Sequence, residues 1–140
     1  MLDLFRYLKI QYKDYLILFK IGSFYTSFGE DAIILNKVFN YKLVDMKNNI
    51  KAGFPLTNYE KNINIIEKLK INYIIIEKEN ITNKKKFKFN NYCKYVSNVY
   101  YVIENRKRID NILKKLNAIS DNKDIGKLLD KIEGDINEWK

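Results

Sequence analysis

The chain has 140 residues, 46% hydrophobic and 31% charged, which suits one folded domain with a modest core and excludes a disordered chain. Lys and Arg number 26 against 17 Asp and Glu, a formal charge of +9 that permits a polyanionic partner; the crowding with Lys, Asn, Ile and Tyr also fits AT-rich coding, so some lysines are plain solvated surface. There is no histidine, which excludes a histidine base, a Ser-His-Asp triad and a His-ligated metal, and the five glycines form no phosphate loop.

In chain order, residues 2–12 read as an amphipathic helix, with Phe5, Leu8 and Tyr12 at helical spacing and Asp3 favourable near its start. The apolar run 15–19 is too short for a helix and reads as a buried strand reaching about Ile21. Gly22-Ser23 breaks it, and Phe24-Tyr25-Thr26-Ser27-Phe28 places aromatic rings just past the break. Gly29-Glu30-Asp31-Ala32 opens a helix to Phe39 that is apolar nearly all round, which implies burial. Residues 41–45 make a short strand, Lys47-Asn48-Asn49 a turn, and 51–54 a further strand that Pro55 ends.

Thr57 and Glu60 have the spacing of a capping box before a helix bearing Ile63, Ile66 and Leu69. The β-branched run 71–77 is the clearest central strand. Residues 79–91 are polar and basic and read as a loop, after which 92–103 resumes strand character as an antiparallel strand or bulged hairpin. Cys93, the single cysteine, excludes an internal disulfide and is expected to be a buried thiol. Beyond Arg106, Ile109, Ile112, Leu113 and Leu116 form one helical stripe; Ile125, Leu128, Leu129, Ile132, Ile136 and Trp139 form a second. Leu113, Leu116, Leu128 and Leu129 are expected to be buried, on the domain, on a partner protein or on a second copy.

Glu30 and Asp31, with Asp45 nearby, could hold magnesium, but at a helix start such pairs serve as caps, so no metal is expected. No nucleophile–base pair can be assembled, so neither an enzyme nor a cofactor is expected. No apolar run approaches 18 residues and no signal-peptide pattern opens the chain, which leads to an expected cytoplasmic location.

Two blocks carry a resemblance. Tyr7, Leu8, Gln11, Gly22, Phe24, Tyr25, Phe28, Asp31 and Ala32 fall in one register, and Ala52-Gly53-Phe54-Pro55 with Tyr59 forms a second. Together they resemble the N-terminal mismatch-recognition domain of the DNA mismatch-repair protein MutS, over about residues 2–104. Two positions depart: Thr26 stands where that family has the glutamate of Phe-x-Glu, and Thr57 where a histidine usually follows the Ala-Gly-x-Pro loop.

The expected fold is therefore α/β, a mixed sheet of about five strands flanked by helices over residues 1–104. A C-terminal extension of two helices covers 105–140. The resemblance implies a free-standing module for mismatched or distorted double-stranded DNA, with Phe24 as a minor-groove wedge and Thr26 beside it. Lys20, Lys51 and the cluster Lys84, Lys85, Lys86 and Lys88 are candidate phosphate contacts, setting affinity rather than base choice. The alternative is a protein-interaction module that kept the fold and lost mismatch recognition.

Overall fold

The computed structural model describes residues 1–139. Helix α1 (Leu2–Gln11) leads into β1 (Leu16–Ile21), and a two-residue turn at Gly22-Ser23 reverses the chain into β2 (Phe24–Phe28). Then follow α2 (Gly29–Phe39), β3 (Val44–Met46), β4 (Asn49–Pro55), a 3-10 turn (Leu56–Asn58), α3 (Tyr59–Lys68), β5 (Tyr73–Glu77) and β6 (Asn80–Lys85). A second 3-10 turn (Tyr92–Lys94) precedes the long helix α4 (Val99–Ala118) and α5 (Ile125–Glu138).

The strands form one mixed sheet in the order β3-β4-β2-β1-β5-β6. Only β1 and β5 run parallel; every other neighbour is antiparallel. Strand β1 explains the topology. Leu16 and Leu18 enter one core with α2 and α3, while Ile17 and Phe19 enter a second core with Phe5 and Leu8 of α1. A strand buried on both faces reads as a continuous apolar run, as this one does.

The sheet has six strands rather than five, and the differences have physical causes. Strand β2 alternates exposed Phe24 with buried Tyr25, a half-buried pattern that its ring-rich composition hid. Strand β6 lies in the stretch expected to be a loop. It is exposed along its whole length, so its polar, lysine-rich sequence is that of an edge strand. Residues 92–103 form no strand. Tyr92–Lys94 is a 3-10 turn, and Val99, Val102 and Ile103 open α4 and pack against the first core; packing overrides their β-propensity.

Two smaller expectations also fail. Thr57 lies within the 3-10 turn, and α3 begins at Tyr59 with Asn58 as its N-cap and no side-chain cap bond, so the capping box does not form. Cys93 is exposed, because the 3-10 turn buries its neighbour Tyr92 instead.

Residues 1–103 and 104–140 form two compact units. In the second, a turn at 119–124 joins the rest of α4 to α5. No side chain of α4 or α5 is buried; Leu116 is only partly covered, and Leu113, Leu128 and Leu129 are exposed, so the expected burial is not met within the single chain. Within this unit α4 carries five bases (Arg106, Lys107, Arg108, Lys114, Lys115) against two acids, Glu104 and Asp110, which pair with Lys107 and Lys114, whereas α5 carries four acids (Asp130, Glu133, Asp135, Glu138) against Lys127 and Lys131. Among the described residues no helix is long and apolar enough to cross a membrane.

Candidate nucleic-acid interface

The β1–β2 hairpin places Phe24. Gly22 has φ +58°, the left-handed region that its missing Cβ permits, and opens the two-residue turn. Phe24 then lies between Ile21 on β1 and Pro55 on β4. Phe24 is 49% exposed and belongs to neither core, whereas Tyr25, on the opposite sheet face, is buried and stacks on Tyr59 at 4.7 Å. The hairpin tip is tied to the end of β4 by Leu56, whose N–H donates to the Ser23 carbonyl at 3.0 Å.

Thr26 shares the face of Phe24 and pairs with Phe19 on one side and Gly53 on the other. Gly53 is required by space. A Cβ there would lie 2.8 Å from the Tyr25 carbonyl oxygen and 3.0 Å from Thr26 Oγ1. The glycine thus lets β4 approach β2 closely beside Thr26.

Phe24 and Thr26 open onto a groove of about 560 Å³. Lys51 and Gly53 on β4, with Tyr41, Lys42 and Val44 from the preceding segment, complete its wall. Ile21 and Val44 are exposed beside the ring, so an apolar patch meets a rim of two lysines, and no acidic side chain lines the groove. Lys42 did not stand out in the sequence; it was one more lysine in a lysine-rich chain until the strand order placed it here.

The other lysines are elsewhere. Lys20 pairs with Tyr25 across the hairpin, on the face opposite Phe24, and its Nζ lies 2.9 Å from Glu77 Oε1. The hydrogen bond and charge of Glu77 raise the Lys20 pKa. Lys84 and Lys85 lie on β6, three strands from β2 and opposite Ile74 and Tyr73. Strand spacing and rise put Lys84 roughly 20 Å from Phe24. Lys84 caps the rings of Tyr12 and Tyr15 at 4.8 and 5.9 Å, Lys85 faces Phe87, and Lys86 lies just past the strand. The structure therefore gathers Phe24, Thr26 and Lys51 into one site and leaves Lys20 and Lys84–Lys86 outside it.

Behind the hairpin a buried ionic cluster fixes the elements that carry it. Asp31, in the first turn of α2 and fully buried, accepts from the Ile17 N–H at 3.1 Å, from Tyr92 Oη at 2.6 Å and from Lys9 Nζ at 3.1 Å. Lys9 also donates to the Tyr15 carbonyl at 2.7 Å. Asp31 is thus a clamp joining α1, β1 and α2 rather than a helix cap. Burial pushes its pKa up to about 6, against the pull of Lys9, Tyr92 and the Ile17 N–H. The same burial, with the carboxylate beside it, pushes the Tyr92 hydroxyl far up. Among the described residues no group of three acidic or cysteine side chains is placed to hold a metal ion.

Fold and groove together define a small α/β domain with a solvent-facing ring at a hairpin tip, beside a lysine-rimmed cleft. The family model described as MutS domain I matches residues 1–100, and the chain belongs to that family. Among curated relatives, the DNA mismatch repair protein MutS of Thermosipho melanesiensis is 44% identical over 59 residues, covering 40% of this chain and 7% of that protein. MutS of Ehrlichia ruminantium is 37% identical over 70 residues, covering 50% and 9%. MutS of Thermotoga maritima is 46% identical over 52 residues, covering 36% and 7%. The match spans less than a tenth of the length of these relatives.

Proposed function

We propose that this chain binds mismatched or distorted double-stranded DNA, with Phe24 as a wedge in the minor groove and no catalytic step of its own. The observation that carries the reading is the half-exposed Phe24 ring at a tethered hairpin tip, above a groove rimmed by Lys42 and Lys51. A flat apolar ring can replace the stacking lost when a base step opens, and a mismatch opens at lower cost than a good pair. Lys42 and Lys51 are close enough to the ring to neutralise phosphates flanking the same step. Lys20 is held by Glu77, and Lys84–Lys86 can touch only DNA that runs across the far sheet edge.

Thr26 sets the selectivity. A carboxylate at this position is repelled by phosphate and is compensated only where a displaced base donates a hydrogen bond. Threonine removes both effects, so the chain binds duplex DNA with a weak preference for mismatches. The recognition unit is residues 1–104; the extension 105–140 presents a separate surface, which is the feature that the protein-interaction reading would use.

Titrating fluorescent matched and mismatched duplexes at two salt concentrations tests the proposal. Binding that weakens with salt and modestly favours the mismatch is expected. No binding to either duplex at low salt would refute it.

A further inference from the structure

The C-terminal unit leaves two apolar stripes uncovered, one on each helix. On α4, Ile112 and Leu113 are 50% and 51% exposed; on α5, Leu129 and Ile136 are 38% and 64% exposed. Ile109, Ile112, Leu113 and Leu116 recur at i, i+3, i+4 and i+7, and the α5 stripe from Ile125 has the same spacing, so each helix carries one continuous stripe. With Ile109, Leu128 and Trp139 added, the exposed residues of the two stripes present roughly 800 Å² of surface, what one partner contributes to a standard stable interface and more than a typical monomer leaves open.

We propose that these stripes form the contact between two copies of the chain, paired with α4 of one copy against α5 of the other. Area and charge both select this occupant. A twofold contact buries the same patch twice, and the patch has the size each partner of a stable dimer needs. The basic flank of α4 repels a second α4 but complements the acidic flank of α5, so the α4–α5 pairing is favoured and α4–α4 pairing is not. The dimer itself does not depend on DNA binding, and the experiment contains no DNA.

Sedimentation of the full chain at tens-of-micromolar concentration should give twice the 16.8 kDa chain mass. Leu113→Glu with Leu129→Glu changes only exposed side chains, so it should leave the melting profile of the sheet intact and give a monomer. Charge reversal fixes the pairing. Arg108→Glu with Lys115→Glu, the two bases beside Ile112, in one chain, and Asp130→Lys with Glu133→Lys in another, should each weaken self-association at least tenfold. Mixing the two should restore a dimer, and high salt should reduce the difference. A wild-type monomer at that concentration overturns the proposal. A dimer unaffected by the glutamates places the contact elsewhere and overturns it as well. A dimer that the glutamates break but mixing fails to restore overturns the α4–α5 pairing.

Discussion

Gly53→Ala probes the construction of the groove without touching its charges. Gly53 has no positive φ, so alanine fits the backbone and only space is at issue. The new Cβ would meet the Tyr25 carbonyl oxygen at 2.8 Å and Thr26 Oγ1 at 3.0 Å. Ordinary carbon–oxygen contacts begin near ~3.3 Å, so β4 must move from β2 by about half an ångström. Both strands are interior to the sheet, so the shift is resisted on both sides. Overpacking of this kind costs about 1–3 kcal/mol, or about 3–10 °C in melting temperature for a domain of this size. Thermal unfolding followed by circular dichroism measures it. Adding Thr26→Ala should recover little, because the closer obstacle is backbone. A Gly53→Ala protein that melts within about 1 °C of the parent would refute the close approach of β2 and β4.

Asp31 makes a prediction about pH. Its folded pKa is raised from 3.8 to about 6, so the folded chain holds the proton more tightly than the unfolded chain. The resulting stabilisation, on the order of 2–3 kcal/mol, is fully present below about pH 4 and is lost as pH rises to about 6. The melting temperature of the parent relative to Asp31→Asn should fall over that window and level off above it; a constant difference would show that Asp31 does not titrate there. For the interface, Lys42→Gln and Lys51→Gln should each weaken binding to all duplexes and lower the salt slope by about 1. Lys20→Gln should change the slope less, since Glu77 already neutralises it; equal slopes for all three variants would contradict the groove as the phosphate-contacting site.

The sequence was most informative where one physical demand dominates. The run from Leu16 to Phe19 is apolar because β1 is buried on both faces, and the run from Tyr73 to Ile76 reads as a strand for the same reason. Phe24 stood out through the Gly22 turn and the second block at Ala52–Pro55, which pairs with β2 in the fold. Legibility failed where exposure or long-range contacts decide. Strand β6 has no buried face to impose alternation. The segment Tyr92–Ile103 is rich in strand-forming residues, yet its tyrosine serves Asp31 and its valines seat the start of α4. Lys42 and the role of Gly53 depend on which strands are neighbours, and local sequence does not encode that.

The wedge is the central claim, and Phe24→Ala with Thr26→Glu tests it most directly. Phe24 lies outside both cores, so its removal should leave the melting temperature nearly unchanged. Base–aromatic stacking is worth roughly 1–3 kcal/mol, so affinity for mismatched duplex should fall about tenfold or more. Thr26→Glu should weaken binding to matched duplex more than to mismatched duplex, raising the ratio between them. Both variants would be titrated beside the parent with the same two duplexes. Unchanged affinity in Phe24→Ala together with an unchanged ratio in Thr26→Glu would contradict the wedge.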